Sequence, residues 1–314
     1  MAYRLFHQSC FEWLREQSPN SIHAVCTDPP YGVVEFSDRE LEKLRAGRGG
    51  VWRLPPSLNG SQRAPLPRFT VLTSEQQKAV ARFFFEWGEQ LIRVIVPGGH
   101  VIVAGHPMLQ HHVQGAMSQA GFEVRGAVIR LYQGFRGGDR PKNAELEFPD
   151  VSVTPKGGYE PWMLFRKPIS EGTVAANLRK WKTGGLRRLA DSKPFPEVIF
   201  SGKTPKAEEQ IADHPCLKPQ HFMRVIVRAL LPLGEGVLVD TFMGSGSTIA
   251  AADCIGYDAI GIETDKKYFE LAIQSVPRLA ALYQGFTGQI LERPEPASLP
   301  VSKDEDEPLL FSMR

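Results

Sequence analysis

Cysteine is scarce in this 314-residue chain, occurring only as Cys10, Cys26, Cys216 and Cys254. No two stand in C-x-x-C spacing, and three sit in apolar or strand-like surroundings. The pattern excludes a disulfide framework and a cysteine zinc site, and it points to a reducing, cytoplasmic setting. Long apolar runs are missing as well: none approaches the ~20 residues of a membrane span, so no membrane partner is expected. The opening Met1-Ala2-Tyr3-Arg4-Leu5-Phe6 lacks the apolar stretch of a signal peptide. His111-His112 is the one histidine pair, but neighbours on a helix point about 100° apart. With no carboxylate beside them, no metal is expected. Nuclease and helicase motifs are also absent.

What the chain does have is an ordinary composition with an uneven charge. Hydrophobic residues make up 42% and charged residues 23%, as in a soluble globular enzyme with a sizeable core. The net charge is only +2, yet from Phe36 to Thr70 seven Lys/Arg face three Asp/Glu, a local +4. From Glu171 to Lys206 eight face three, a local +5, whereas the last thirty residues carry three against six. Two basic insertions on a near-neutral body are the footprint of a nucleic-acid binder. Solvated surface loops would show the same counts.

The most informative stretch runs from Ile22 to Tyr31. A short apolar run, Ile22 to Cys26, reads as a buried strand and is followed at once by Asp28-Pro29-Pro30-Tyr31. Neither proline can donate to a sheet ladder, so the strand ends there with a carboxylate and free carbonyls at its C-terminal edge. That edge is where open α/β sheets bind ligands. The tetrapeptide suits the gripping of an exocyclic amino group. Such an amine is a poor nucleophile because its lone pair is delocalised into the ring. Asp28 and a proline carbonyl can each accept one N–H, and Tyr31 offers a face for base stacking, worth roughly 1–3 kcal/mol. A plain strand-to-turn transition uses the same residue types.

Elsewhere the pattern alternates. Strands are expected over 4–8, 22–27, 100–104, 122–133, 160–166, 236–239 and 258–262. Helices are expected over 9–17, 75–94 (stopped by Pro97-Gly98-Gly99), 107–120, 219–231, 247–254 and 266–282. This rhythm predicts a largely parallel sheet covered on both faces. Two segments break it. Residues 35–72 mix glycine and proline with Arg45, Arg48, Arg53, Arg63 and Arg68, and read as a mobile loop that orders on nucleic acid. The arginines would be phosphate contacts, and Trp52 a stacking or wedging side chain. Residues 169–213 carry Arg179, Lys180, Lys182, Arg187 and Arg188 without the periodicity of a full layer, and read as an inserted recognition element.

The C-terminal half holds a second constellation. Val237-Leu238-Val239-Asp240-Thr241-Phe242-Met243-Gly244-Ser245-Gly246-Ser247-Thr248 is strand, acid, then a glycine-rich turn into a helix. Such a turn lets a ligand approach the backbone, and the helix N-terminus favours an anionic group. Glu263 ends the next strand, 23 positions after Asp240, where an acid can hold both hydroxyls of a ribose. The third glycine of a dinucleotide fingerprint is replaced by Ile249, and no lysine completes a phosphate-binding Walker loop. Asp265 fits an N-cap for the helix that follows.

Asp-Pro-Pro-Tyr upstream with Asp-Thr-Phe-Met-Gly-Ser-Gly-Ser downstream resembles the S-adenosylmethionine-dependent DNA amino-methyltransferases of the permuted beta order. His214-Pro215-Cys216-Leu217-Lys218-Pro219 is similar to that family's third mark. The resemblance covers roughly 1–34 and 75–282. It implies a Rossmann-like α/β methyltransferase fold with a mostly parallel seven-stranded sheet and circularly permuted motif order. A catalytic half would span 1–168, a target-recognition insertion 169–213, a donor-binding half 214–282, and a polar, disordered tail 283–314. It further implies S-adenosylmethionine as cofactor, with Lys218 near the methionine carboxylate and Phe242 against the donor. Asp240, Gly244, Ser245 and Gly246 would border the methionine part, and Glu263 the ribose. Asp28, Pro29, Pro30 and Tyr31 would carry the catalysis. Double-stranded DNA is the implied partner, and the family often pairs into a homodimer. Adenine is the first expected target, because relatives acting on cytosine more often carry Ser in place of this Asp. Cytosine, RNA, and a silent nucleic-acid binder are the alternatives in that order.

Overall fold

Each central strand sends alternate side chains to opposite faces, and each face is closed by its own row of helices. The computed structural model describes residues 3–29, 57–58, 61–62, 74–132, 138, 140–141, 143–214, 216–283 and 285. In chain order the elements are β1 (Tyr3–His7), α1 (Cys10–Glu16), β2 (Ile22–Thr27), β3 (Ser57–Leu58), β4 (Ser61–Gln62), α2 (Ser74–Val94), β5 (Ile95–Ala104), α3 (Gln110–Gln119) and β6 (Glu123–Leu131). They continue with β7 (Tyr159–Arg166), α4 (Val174–Trp181), β8 (Val198–Phe200), α5 (Lys206–Glu209), α6 (Gln220–Leu230), β9 (Val237–Asp240), α7 (Ser247–Cys254), β10 (Asp258–Glu263) and α8 (Lys266–Ala280).

One sheet of eight strands runs β1-β10-β9-β2-β5-β7-β6-β8. Only β7 lies antiparallel to its two neighbours, and the other pairings are parallel. On one face Ala24, Cys26, Ile102, Ala104, Trp162, Leu164 and Leu238 pack with Phe222, Ile249 and Val276 of α6, α7 and α8. On the other, Val25, Val101, Val103, Met163, Phe165 and Val239 pack with Trp13, Phe84, Trp87 and Met117 of α1, α2 and α3. This period-two partition over two buried faces is what makes the strands read as continuous apolar runs. The doubly covered, mostly parallel α/β sheet is the one expected.

Three expectations need correction. Among the described residues the sheet has eight strands, not seven, and the extra one comes from within residues 169–213. β8 pairs with β6 over Ile129↔Val198, Arg130↔Ile199 and Leu131↔Phe200. Only Ile199 of its three residues is buried, too short a pattern to register as a strand. Of the segment 169–213, residues 198–200 thus join the main sheet. Pro97-Gly98-Gly99 does not lie between α2 and its strand: α2 passes directly into β5, and the three residues lie within β5. Pairing with β2 jumps from Ile22↔Ile95 to Ala24↔His100, so this stretch bulges out of the ladder. Gly98 takes φ +80°, which explains the glycine without a helix stop. Within 35–72, Ser57–Leu58 and Ser61–Gln62 form a small antiparallel pair, β3 and β4. The rest of that segment lies outside the described residues, as does residue 284 and everything beyond residue 285.

The strand order reverses its direction of growth between β2 and β9. From β9 the chain adds β10 outward on one side, and from β2 it adds β5 on the other. A crevice at such a switch point, off the C-terminal strand ends, is the default ligand site of an open α/β sheet.

Candidate active site

Asp28 follows directly on β2, and Asp240 ends β9 beside it. The two strands pair through Ala24↔Leu238 and Val25↔Val239. A side-chain bond closes the seam: Thr27 Oγ1 donates to Asp240 Oδ1 at 2.6 Å. The same oxygen accepts the Phe242 N–H at 3.0 Å. Asp240 is almost fully buried, and burial lifts its carboxyl to about 6, against the pull of hydrogen bonds from Thr248, Thr27 and Phe242. Its carboxylate thus braces the turn after β9 from within.

The glycine-rich turn is tightly built. Gly244 N–H donates to Glu263 Oε2 at 2.9 Å, while Glu263 Oε1 accepts Asp265 N–H at 2.8 Å. Glu263 is thereby fixed at the end of β10, and burial raises its carboxyl above the ordinary value. Gly246 has φ +86°, and a Cβ there would stand 2.4 Å from Val276 Cγ2 on α8. As the N-cap of α7, Gly246 brings no side chain over the first turn, whose N–H groups suit an anionic or polar ligand group. Ser245 is buried, and its carbonyl accepts the Ser275 hydroxyl at 2.6 Å. Phe242 is half-buried, 6.0 Å from the rings of Phe83 and of Trp87. Acid, glycine turn, open helix end and second acid fit the methionine and ribose ends of an S-adenosylmethionine molecule. Asp265 caps α8, accepting from Lys267 N–H at 2.8 Å and Tyr268 N–H at 3.2 Å.

Lys218 joins the two halves. Its ammonium forms an ion pair with Asp28 Oδ2, and Glu160 Oε1 lies 3.5 Å from the same nitrogen. Burial alone would lower this ammonium's pKa, but Asp28 and then Glu160 push it above its ordinary value. Glu160, at the start of β7, is itself held by Arg130 at 3.2 Å and by the Trp162 indole N–H at 3.0 Å. Arg130 is tied in turn to the Ser201 hydroxyl at 3.0 Å and the Gly202 carbonyl at 3.3 Å, just past β8. His214 lines the same edge: a Cβ on Gly244 would come within 3.0 Å of its Nε2. Burial, and next the Lys218 charge, lower the His214 pKa to about 4, so it is neutral at ordinary pH.

The structure therefore brings together Asp28, Lys218, Asp240, Phe242, Gly244, Ser245, Gly246 and Glu263, with a buried Pro29 beside them. Pro30 and Tyr31 lie outside the described residues, as do Arg45, Arg48, Trp52, Arg53, Arg63 and Arg68. The second basic set is not brought to this edge. Thr183 beside Lys182 donates its hydroxyl to the Pro97 carbonyl at 2.7 Å, and Arg187 donates to the Tyr257 hydroxyl at 2.8 Å. Arg228 donates to the Arg188 carbonyl at 2.6 Å. Pro97 lies near the start of β5 and Tyr257 just before β10, so Arg187, Arg188 and the C-terminal end of α4, with Arg179, Lys180 and the capping Lys182, sit at the opposite, N-terminal edge of the sheet. Lys180 is also paired with Glu171 at 2.6 Å.

Four site residues escaped the sequence reading: Thr27, Arg130, Glu160 and His214 in its contact role. Glu160 had a signal, being an acid inside the apolar run 159–165. Its partner could be found only from the hairpin register Arg130↔Glu160. Among the described residues, no group of three or more His, Cys, Asp or Glu side chains is placed to hold a metal.

Comparison with known proteins bears on the family and the fold. The DNA methylase family profile for N6 and N4 enzymes matches residues 22–274. The type II methyltransferase M.HindIII of Haemophilus influenzae is 24% identical over 84% of this chain and 92% of its own. The M1.HpyAVI–SAM complex shares the fold with TM-score 0.54 at 15% identity, covering 87% of this chain and 98% of that one. The cytosine-N4-specific PvuII DNA methyltransferase does so with TM-score 0.56 at 14% identity, covering 89% and 90%. A profile match over most of the chain, on a fold whose two acid-bearing strand ends meet at the switch point, establishes that this chain belongs to the N6/N4 DNA methylase family.

Proposed function

We propose that this protein methylates the exocyclic N6 amino group of adenine in duplex DNA, with S-adenosylmethionine as donor. The observation that carries the reading is the meeting of Asp28 with the Asp240-to-Gly246 turn across the β2–β9 seam, joined by the Thr27–Asp240 bond. When bound, the donor supplies a methyl group on a sulfonium, already a good electrophile. The chain's task is then to position an amine. A base flipped from the duplex, at a cost of a few kcal/mol, presents two N–H groups to the Asp28 carboxylate and the Pro29 carbonyl. With its two N–H groups held by these acceptors, the amine can pyramidalise, withdrawing the nitrogen lone pair from the ring and pointing it at the methyl group. Asp28 also takes up the proton shed as the new N–C bond forms and the methyl–sulfur bond breaks. Tyr31 supplies the stacking face. Positioning of this kind is worth roughly 7–11 kcal/mol in favourable cases, enough that no covalent nucleophile is called for.

Asp at position 28, where cytosine-acting relatives more often carry Ser, supports adenine. The fold shared with a cytosine-N4-specific enzyme supports cytosine as the second reading. Nucleoside mass spectrometry of duplex DNA incubated with the protein and labelled donor separates the two. N6-methyladenine is the expected product. N4-methylcytosine would overturn the adenine reading, and labelled base from RNA but not from DNA would overturn both.

A further inference from the structure

We propose that Glu160 is a positioning residue for methyl transfer, serving as the standby counter-ion that lets Asp28 leave Lys218 and engage the substrate amine. This rests on the amino-methyltransferase reading above. The geometry is a relay across four chain segments. Lys218 lies between two carboxylates, paired to Asp28 Oδ2 on one side and 3.5 Å from Glu160 Oε1 on the other. The Lys218 side chain is 9% exposed and that of Asp28 18%. Asp28 is thus the more exposed member of the pair, and the ammonium the more enclosed.

An Asp28 carboxylate that turns onto a substrate amine loosens its hold on Lys218. A buried ammonium stripped of its partner is strongly unfavourable. Glu160 removes that penalty because its other oxygen is already fixed by Arg130 and Trp162, leaving Oε1 directed at the ammonium. Arg130 is anchored through Ser201 and Gly202, so the post does not move with Lys218. Among the described residues, Lys218 and Arg130 face Asp28 and Glu160, so shifting the ammonium from one carboxylate to the other changes no net charge in this group. Without the charge on Glu160, Lys218 would stay locked on Asp28 and compete with the amine for the same acceptor.

The test is a double-mutant cycle read in single turnover, with donor affinity by calorimetry, DNA KM and thermal melting measured alongside. Glu160→Gln is expected to slow methyl transfer at least ~10-fold while donor Kd and DNA KM stay within about threefold. In a Lys218→Met background the same change should add less than about twofold, because the partner it acts through is gone. Glu160→Asp keeps a negative charge beside Arg130 but withdraws it from Lys218 by one methylene. It should fold as the wild type does and slow transfer several-fold, and it decides the matter should Glu160→Gln fail to fold. The proposal is overturned by wild-type transfer rates in either variant. It is equally overturned by losses that multiply fully with that of Lys218→Met, or that track falling melting temperature and donor affinity. Wild-type protein in the same assay separates the two levels: if it methylates no base, the underlying reading has failed, and if it turns over normally, only the role of Glu160 is at stake.

Discussion

At the scale of single residues, the site is held by carboxylates whose roles differ with their surroundings. Asp28 is only partly buried, whereas Asp240 is almost fully so. Burial raises Asp240 to about 6 from an ordinary value of 3.8. A group whose native pKa exceeds its unfolded one binds more protons in the native state, so stability falls as pH rises from about 4 to about 6. The full cost, of order 3 kcal/mol at most, is then present above that window. Asp240→Asn removes this titration. The melting temperature of the wild type, relative to that of the variant, should therefore fall across the same window, and a flat difference would contradict the assignment. Asp28 and Asp240 were both legible because each ends an apolar run. Thr27 and Glu160 were not, since their roles depend on which strands become neighbours. Thr27 and Asp240 are 213 positions apart in the chain, and nothing local marks them as partners.

At the scale of elements, the β9–α7 turn shows why its glycines cannot be exchanged. Gly246 combines φ +86° with a Cβ position 2.4 Å from Val276 Cγ2. Gly246→Ala should cost about 2 kcal/mol or more through backbone strain and the displaced α8. The expected readout is a lower melting temperature together with weaker donor binding in calorimetry. Unchanged values for both would show that the turn tolerates a side chain. Glycine was read correctly in that turn and incorrectly in Pro97-Gly98-Gly99, where the same residue type serves a bulge inside a strand. Local chemistry marks a departure from regular backbone. Whether that departure ends an element or sits within one is settled by pairing, here the jump from Ile22↔Ile95 to Ala24↔His100. β8 was missed for a related reason, because an edge strand with one buried residue carries almost no alternation.

At the scale of the whole molecule, the two halves named from the motifs share one sheet and both core faces. Pro29 and Ser74 flank the first basic segment, and both lie toward the edge that carries Asp28, because α2 runs back from Ser74 into the start of β5. The second basic set lies at the other edge. Removing the charges of Arg45, Arg48, Arg53, Arg63 and Arg68 together should therefore weaken DNA binding by at least ~10-fold and flatten its salt dependence. Removing those of Arg179 and Lys182 should change affinity less than about twofold. Equal losses from the two sets, in fluorescence anisotropy over a salt series, would place duplex DNA across both edges.

In the proposed reaction Asp28 handles the amine while the β9–α7 turn holds the donor. Asp28→Ala tests it most directly, with donor affinity by calorimetry and label transferred to DNA measured on one preparation. Donor binding is expected within about threefold of wild type, and transfer reduced at least ~1,000-fold. Transfer at the wild-type rate in that variant would contradict this role for Asp28.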